Sequence, residues 1–138
     1  MSAQTFKLEL EVRDYECDFQ GIVNNAVYQN YLEHARHLFL KQCGIDFIAL
    51  SKSGIDLVVV RAELDYLFPL RSAERFSVTV KLERVSRLRF AFLQDIHRLP
   101  DEKPVLKARI IGTSLNAAGR PYFSKELEAL LARQLPSL

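Results

Sequence analysis

Asp18 stands three residues before Gly21, and Asn24 and Asn25 follow just ahead of an apolar-striped segment that runs to Lys41. A carboxylate beside a helix start is a chemical arrangement. The first turn of a helix has N–H groups with no partner inside the helix, and it carries the positive end of the helix dipole. Such a turn can polarise a carbonyl or hold an oxyanion. Asp18 could then attack that carbonyl or activate a water. The competing reading is that Asp18 caps a turn, a common role for Asp. Asp14, at the exit of the first strand, reads as a solvated structural acid.

Other reactive residues give weaker patterns. His34 and His37 are spaced as neighbours on a helix beside Glu33, but a zinc site needs a third protein ligand, and solvated histidines are the simpler reading. Cys17 has no base placed beside it, and the neighbouring Asp18 would raise its pKa, so it reads as pocket lining rather than nucleophile. Arg84, Arg87, Arg89 and Arg98 cluster around one hairpin, with Lys107 and Arg109 on the next strand. Arginine binds phosphate through two donors at once, so the cluster suits a phosphorylated ligand. A solvated sheet edge kept charged against aggregation is the alternative.

The elements that must position these residues follow from periodicity. Phe6, Leu8, Leu10 and Val12 alternate with Lys7, Glu9 and Glu11, the pattern of a half-buried strand. From Asn25 the period lengthens. Val27, Tyr28, Tyr31, Leu32, Ala35, Leu38 and Phe39 form one apolar stripe, with Glu33, Arg36 and His37 off it, which predicts a long helix from about Asn24 to Cys43 that closes at Gly44. Four more alternating segments follow Gly54, the first placing Val58, Val60, Ala62 and Leu64 on one side, the third interrupted on its apolar face by Gln94. The links between them are too short for helical crossovers, so an antiparallel meander is expected. Tyr66, Phe68, Phe90 and Phe92 read as core. Ser124 to Gln134 reads as a short terminal helix capped by Ser124.

Composition sets the frame. A chain of 138 residues with 49% hydrophobic and 26% charged residues suits one domain spanning 1–138. A formal charge of +2 argues against broad nucleic-acid binding. Two cysteines without CxxC spacing read as reduced thiols, and no apolar run reaches membrane-span length, so a cytoplasmic protein without a membrane segment is expected.

The order strand, long helix, four strands, together with DFQGIVNNAVYQNYLEHAR from Asp18 to Arg36, resembles the 4-hydroxybenzoyl-CoA thioesterase-like family. The resemblance implies an α+β hotdog fold: a five-stranded antiparallel sheet curled around one long central helix, with a short C-terminal helix. It implies acyl-CoA hydrolysis, with Asp18 as nucleophile or general base and the amides around Asn25 and Ala26 polarising the carbonyl. Gly21 would allow close approach of the loop, and Tyr28 would lie near the acyl pocket; apart from the resemblance, Val23 and, from the arginine cluster, Arg87 and Arg89 are expected to bind the substrate. A thioester has little resonance stabilisation to lose, so a carboxylate and a polarised carbonyl can suffice, with no metal or redox cofactor. The family assembles as homodimers, often paired into tetramers, and one helix cannot cover both faces of such a sheet. An acyl-carrier-protein thioesterase and a non-catalytic acyl-CoA-binding dimer are the alternatives. A dehydratase fits less well, because no loop His precedes the helix.

Overall fold

The computed structural model describes residues 5–134. Its strands are β1 (Phe6–Glu11), β2 (Asp56–Tyr66), β3 (Arg75–Ser86), β4 (Arg89–Leu99) and β5 (Lys103–Leu115), and its helices are α1 (Val27–Gln42), α2 (Phe47–Lys52) and α3 (Lys125–Gln134). The strands form a single antiparallel sheet in the order β1-β3-β4-β5-β2. One face of that sheet packs on α1, whose Leu32 and Ala35 are fully buried against strand residues such as Val78, Val80 and Ile96. Burying a Leu or Ile side chain in this way stabilises the fold by about 1.5–3 kcal/mol each.

The expected meander holds for β3, β4 and β5 but not for β2. Alternation fixes which face of a strand is buried; it does not fix the neighbour. The place beside β3 is taken by β1, and β2 lies beyond β5 at the opposite edge. The segment from Leu67 to Glu74 therefore runs under the ends of two strands, a crossing of about 14 Å at the usual strand spacing. It becomes one wall of the site.

Two further expectations change. Between Val59 and Arg61 the β2–β5 register shifts by a bulge. An extra residue reverses which side chains face the core, so Val59 opposite Gly112 and Ala62 opposite Ile110 share the helix-facing side, and Val58 and Val60 do not continue the pattern of Ala62 and Leu64. α2 was not apparent from periodicity. Six residues are too few to show it, although the Asp46 carboxylate caps it by accepting from the Ile48 and Ala49 N–H groups at 2.9 and 3.2 Å. The terminal helix is as expected, with the Leu127 N–H donating to Ser124 Oγ at 3.2 Å.

Candidate active site

The loop from Cys17 to Val23 closes on itself. The Asp18 N–H donates to the Ile22 carbonyl at 2.9 Å, the Gly21 N–H donates to the Asp18 carbonyl at 3.0 Å, and Cys17 bridges Val23. Gly21 turns the chain with φ +78°, a conformation other residues adopt at a cost of about 1–2 kcal/mol. The crossing segment holds the loop from outside through the Val23 N–H donating to the Leu70 carbonyl at 2.9 Å. From inside, the Asn24 N–H donates to the Glu16 carbonyl at 2.9 Å.

Asp18 serves its turn with one oxygen. Its Oδ1 accepts from the Gln20 N–H at 2.8 Å and more weakly from the Ile22 N–H at 3.5 Å, while Oδ2 has no partner among the described residues. The capping reading thus accounts for half of the carboxylate. The residue lines a cleft of about 390 Å³ with Ile22, Val23, Asn25, Tyr28 and the crossing residues Tyr66 to Pro69. Tyr66 and Phe68, expected in the core, line this cleft instead and lie outside the buried core. Tyr66 is half-exposed, and its hydroxyl donates to the Asn25 carbonyl at 3.2 Å. Phe68 carries the Arg98 guanidinium and the Lys103 ammonium on its ring, at 5.0 and 4.5 Å from the centroid.

The helix starts later than its sequence pattern suggests, at Val27, because Asn24 to Ala26 form a turn. Asn24 Oδ1 accepts from the Ala26 N–H at 3.0 Å, and the Asn24 carbonyl accepts from the Val27 N–H at 2.9 Å. The Ala26 amide is therefore engaged, whereas the Asn25 N–H has no acceptor among the described residues. Tyr28 is buried, and its hydroxyl oxygen accepts from the Leu70 N–H at 3.1 Å. Burial, the largest cause, pushes the Tyr28 hydroxyl up, so it stays protonated and keeps its own proton to donate.

Of the residues singled out in the sequence, Asp18, Val23, Asn25 and Tyr28 meet in this one cleft, with Gly21 and Ala26 beside it. Arg87 and Arg89 do not join them within one chain. They sit at the hairpin between β3 and β4, the length of β3 away, about 36 Å. Arg84 is engaged locally, donating to the Ser86 and Arg87 carbonyls at 3.2 and 2.9 Å and pairing with Glu128. Cys17 is half-buried, and burial followed by Asp14 and Asp18 pushes its thiol up. His34 is exposed, and His37 packs on Phe47 with ring centroids 5.1 Å apart. Among the described residues no three His, Cys, Asp or Glu side chains gather as a metal site.

Sequence reasoning missed two buried charges. Glu16 lies beneath the loop, where Oε1 accepts from the Arg13 N–H at 2.8 Å and from the Tyr31 hydroxyl at 2.7 Å, and Oε2 pairs with Arg13 at 3.2 Å. Arg36, placed off the apolar stripe of α1, is buried instead. Its signal was Gln94, the polar break in an apolar strand face. Gln94 Nε2 donates to the Leu32 carbonyl at 3.0 Å, and Gln94 Oε1 accepts from Arg36 Nη1 at 3.0 Å.

A five-stranded antiparallel sheet around one long helix, with an acidic loop at the helix start, defines the hotdog architecture. The chain belongs to the thioesterase-like superfamily, whose sequence pattern matches residues 12–135. It is 42% identical over 115 residues to a chloroplastic acyl-acyl carrier protein thioesterase, ATL2, of Arabidopsis thaliana, a match that covers 83% of this chain and 61% of that protein. The chain thus spans about three fifths of the curated relative's length. A 1,4-dihydroxy-2-naphthoyl-CoA thioesterase from Synechocystis has the same fold, with a TM-score of 0.87 at 17% identity, covering 94% of this chain and 96% of that one. So does a Staphylococcus aureus protein, SAV2348, solved in complex with CoA, with a TM-score of 0.87 at 16% identity, covering 100% of this chain and 90% of that one.

Proposed function

We propose that the protein hydrolyses an acyl-CoA thioester to the free acid and coenzyme A. The observation that carries this reading is that Asp18, whose Oδ2 has no partner among the described residues, and Asn25, whose N–H has no acceptor among them, line the same cleft. In the reaction, Asp18 attacks the thioester carbonyl or removes a proton from the water that does so. The developing oxyanion is met by the Asn25 N–H at the positive end of α1. The C–S bond breaks and the thiolate leaves, taking back the proton that Asp18 removed from water as the acid departs; where Asp18 itself attacked, the thiolate takes its proton from solvent, and water then cleaves the acyl-enzyme, releasing the acid and returning that proton. Tyr28 and Val23 flank the acyl group, and Gly21 lets the loop approach it. Family membership and the CoA-bound neighbour support a CoA-type substrate.

The functional unit in this reading is a homodimer, or a pair of dimers, joined along β2. That strand is an edge with Val59, Val60 and Tyr66 exposed. An unpaired apolar edge invites a second strand. Antiparallel pairing about a two-fold axis brings the Asp56 end of one β2 to the Tyr66 end of the other. Arg87 and Arg89 lie at the Asp56 end of the sheet, so they would meet the CoA phosphates from the second protomer.

The Arabidopsis relative favours a second reading, in which the same thioester is presented by an acyl carrier protein. The two free cysteines support a reducing compartment such as the cytosol. Among the described residues no helix is long and apolar enough to cross a membrane.

Thiol release from aromatic, short and long acyl-CoA thioesters and from acyl carrier protein thioesters tests the proposal. Release from at least one CoA ester is expected. If every CoA ester stays intact while carrier-protein esters are cleaved, the second reading replaces the first; if all stay intact, the enzymatic reading fails.

A further inference from the structure

A second cavity, of about 350 Å³, lies between α1 and the sheet at the Leu57 end of β2, walled by Phe90, Phe92, Ile110 and Val58. Arg36, a residue with only 9% of its surface exposed, lines it together with Glu33 and His37. Among the described residues its hydrogen bond goes to the neutral Gln94 amide, and its guanidinium carbon lies over Phe92, 5.8 Å from the ring centroid. No carboxylate pairs with it among the described residues, although Glu33 stands at the same cavity and acts on it from a distance. A guanidinium has five donors, and a buried cation without acceptors is costly to keep. Arg36 thus keeps donors without a protein acceptor among the described residues, at a cavity of ligand size whose lining joins those apolar walls to Glu33 and His37.

We infer that this cavity receives the far end of the acyl group and that Arg36 selects acyl chains bearing an acceptor oxygen, a carboxylate or a ketone, remote from the thioester. The inference rests on the thioesterase reading and on pairing along β2. Tyr66 in the Asp18 cleft and Val58 in this cavity are eight residues apart on one strand, about 26 Å. Antiparallel pairing exchanges the strand ends, so the cleft of one protomer faces the Arg36 cavity of its partner. The apolar walls take the methylenes, and the guanidinium takes the oxygen, bidentately where it is a carboxylate. A site built to hydrogen-bond an oxygen rejects the chain that lacks it, because its donors are then left unpaired.

The test separates this inference from the catalytic one by measuring binding rather than turnover. Hexanoyl-CoA, 5-oxohexanoyl-CoA and adipyl-CoA share a chain length and differ only at the far end. Calorimetric titration of each into the Asp18→Asn protein is expected to show at least one oxygenated ester binding tenfold or more tighter than hexanoyl-CoA. Adding Arg36→Gln should bring that ratio to within twofold of one. Arg36→Lys keeps the charge and most of the stem but loses the fork, and should retain part of the ratio. Hexanoyl-CoA binding as tightly as both oxygenated esters, or a preference that survives Arg36→Gln, overturns the inference. Absence of turnover by wild type with a preserved binding preference would sink the thioesterase reading alone.

Discussion

The Tyr31 hydroxyl donates to Glu16 Oε1 at 2.7 Å, both side chains buried, and so ties the first turns of α1 to the segment that leads into the Asp18 loop. The same Glu16 oxygen accepts from the Arg13 N–H, and the Glu16 carbonyl accepts from the Asn24 N–H at 2.9 Å. One buried residue therefore holds both sides of the cleft, the loop and the helix start, without touching the cleft itself. Tyr31→Phe should cost about 1–3 kcal/mol in denaturant unfolding, since it leaves a buried carboxylate short of a donor. It should also lower kcat more than it raises KM, because the helix-start amide loses its register with Asp18.

Glycine at position 112 is fixed by packing rather than by backbone angle. A Cβ there would lie 2.8 and 2.9 Å from two Phe90 ring atoms and 2.9 Å from the Val58 carbonyl oxygen. Gly112→Ala must displace Phe90 or spread β2 from β5, an overpacking that costs about 1–3 kcal/mol. A lowered urea midpoint with an unchanged slope checks it. The reverse compensation, Phe90→Leu added to Gly112→Ala, should recover part of the loss.

Alkaline pH should unfold the protein early. Burial raises the Cys17 and Cys43 thiols, and it raises Tyr28 and, far more, Tyr31, which also donates to Glu16. Each group favours its protonated form in the folded state, so its contribution is fully present below the unfolded pKa and is lost as pH rises toward and through the folded one. The decline should begin near the ordinary thiol value of 9.0 and steepen above the ordinary tyrosine value of 10.0. Unfolding free energy measured at closely spaced pH values from neutrality upward checks it, and Cys17→Ser should remove part of the first limb only.

Cys17 itself should be dispensable for hydrolysis. Its thiol is held up by burial and by the carboxylates of Asp14 and Asp18, so little thiolate exists at neutral pH. Cys17→Ser is expected to keep kcat/KM within about threefold of wild type, and alkylation of Cys17 in the folded protein should be slower than that of a free thiol.

Much of this architecture was legible in the residues. Alternation in Phe76 to Leu82 and Phe90 to Ile96 marks the buried strand faces, the stripe from Val27 to Phe39 marks α1, and Ser124 marks the cap of α3. Asp18, Val23, Asn25 and Tyr28 line one cleft because a short loop runs straight into the helix that carries Tyr28; spacing singled out Asp18 and Asn25, whereas Tyr28 entered through the family resemblance. The position of β2 was not legible, since side-chain periodicity carries no information about which strand lies next door. The bulge at Val60 was hidden for a related reason: a run of valines looks apolar on both faces. Arg36 was misplaced because a charge on a helix is ordinarily solvated, whereas its contacts inside the fold, with Phe92 and with Gln94, 58 residues away in sequence, are long-range.

The central claim is that the free oxygen of Asp18 does the chemistry opposite the start of α1. Its most direct test is kcat/KM for the best thioester of the panel, wild type against Asp18→Asn, with the two proteins first matched for unfolding midpoint. The amide keeps the acceptor that the Gln20 N–H uses, so the loop should survive while the reactive carboxylate is gone. A fall of about a hundredfold or more is expected. Activity within twofold of wild type would place the chemistry on another residue.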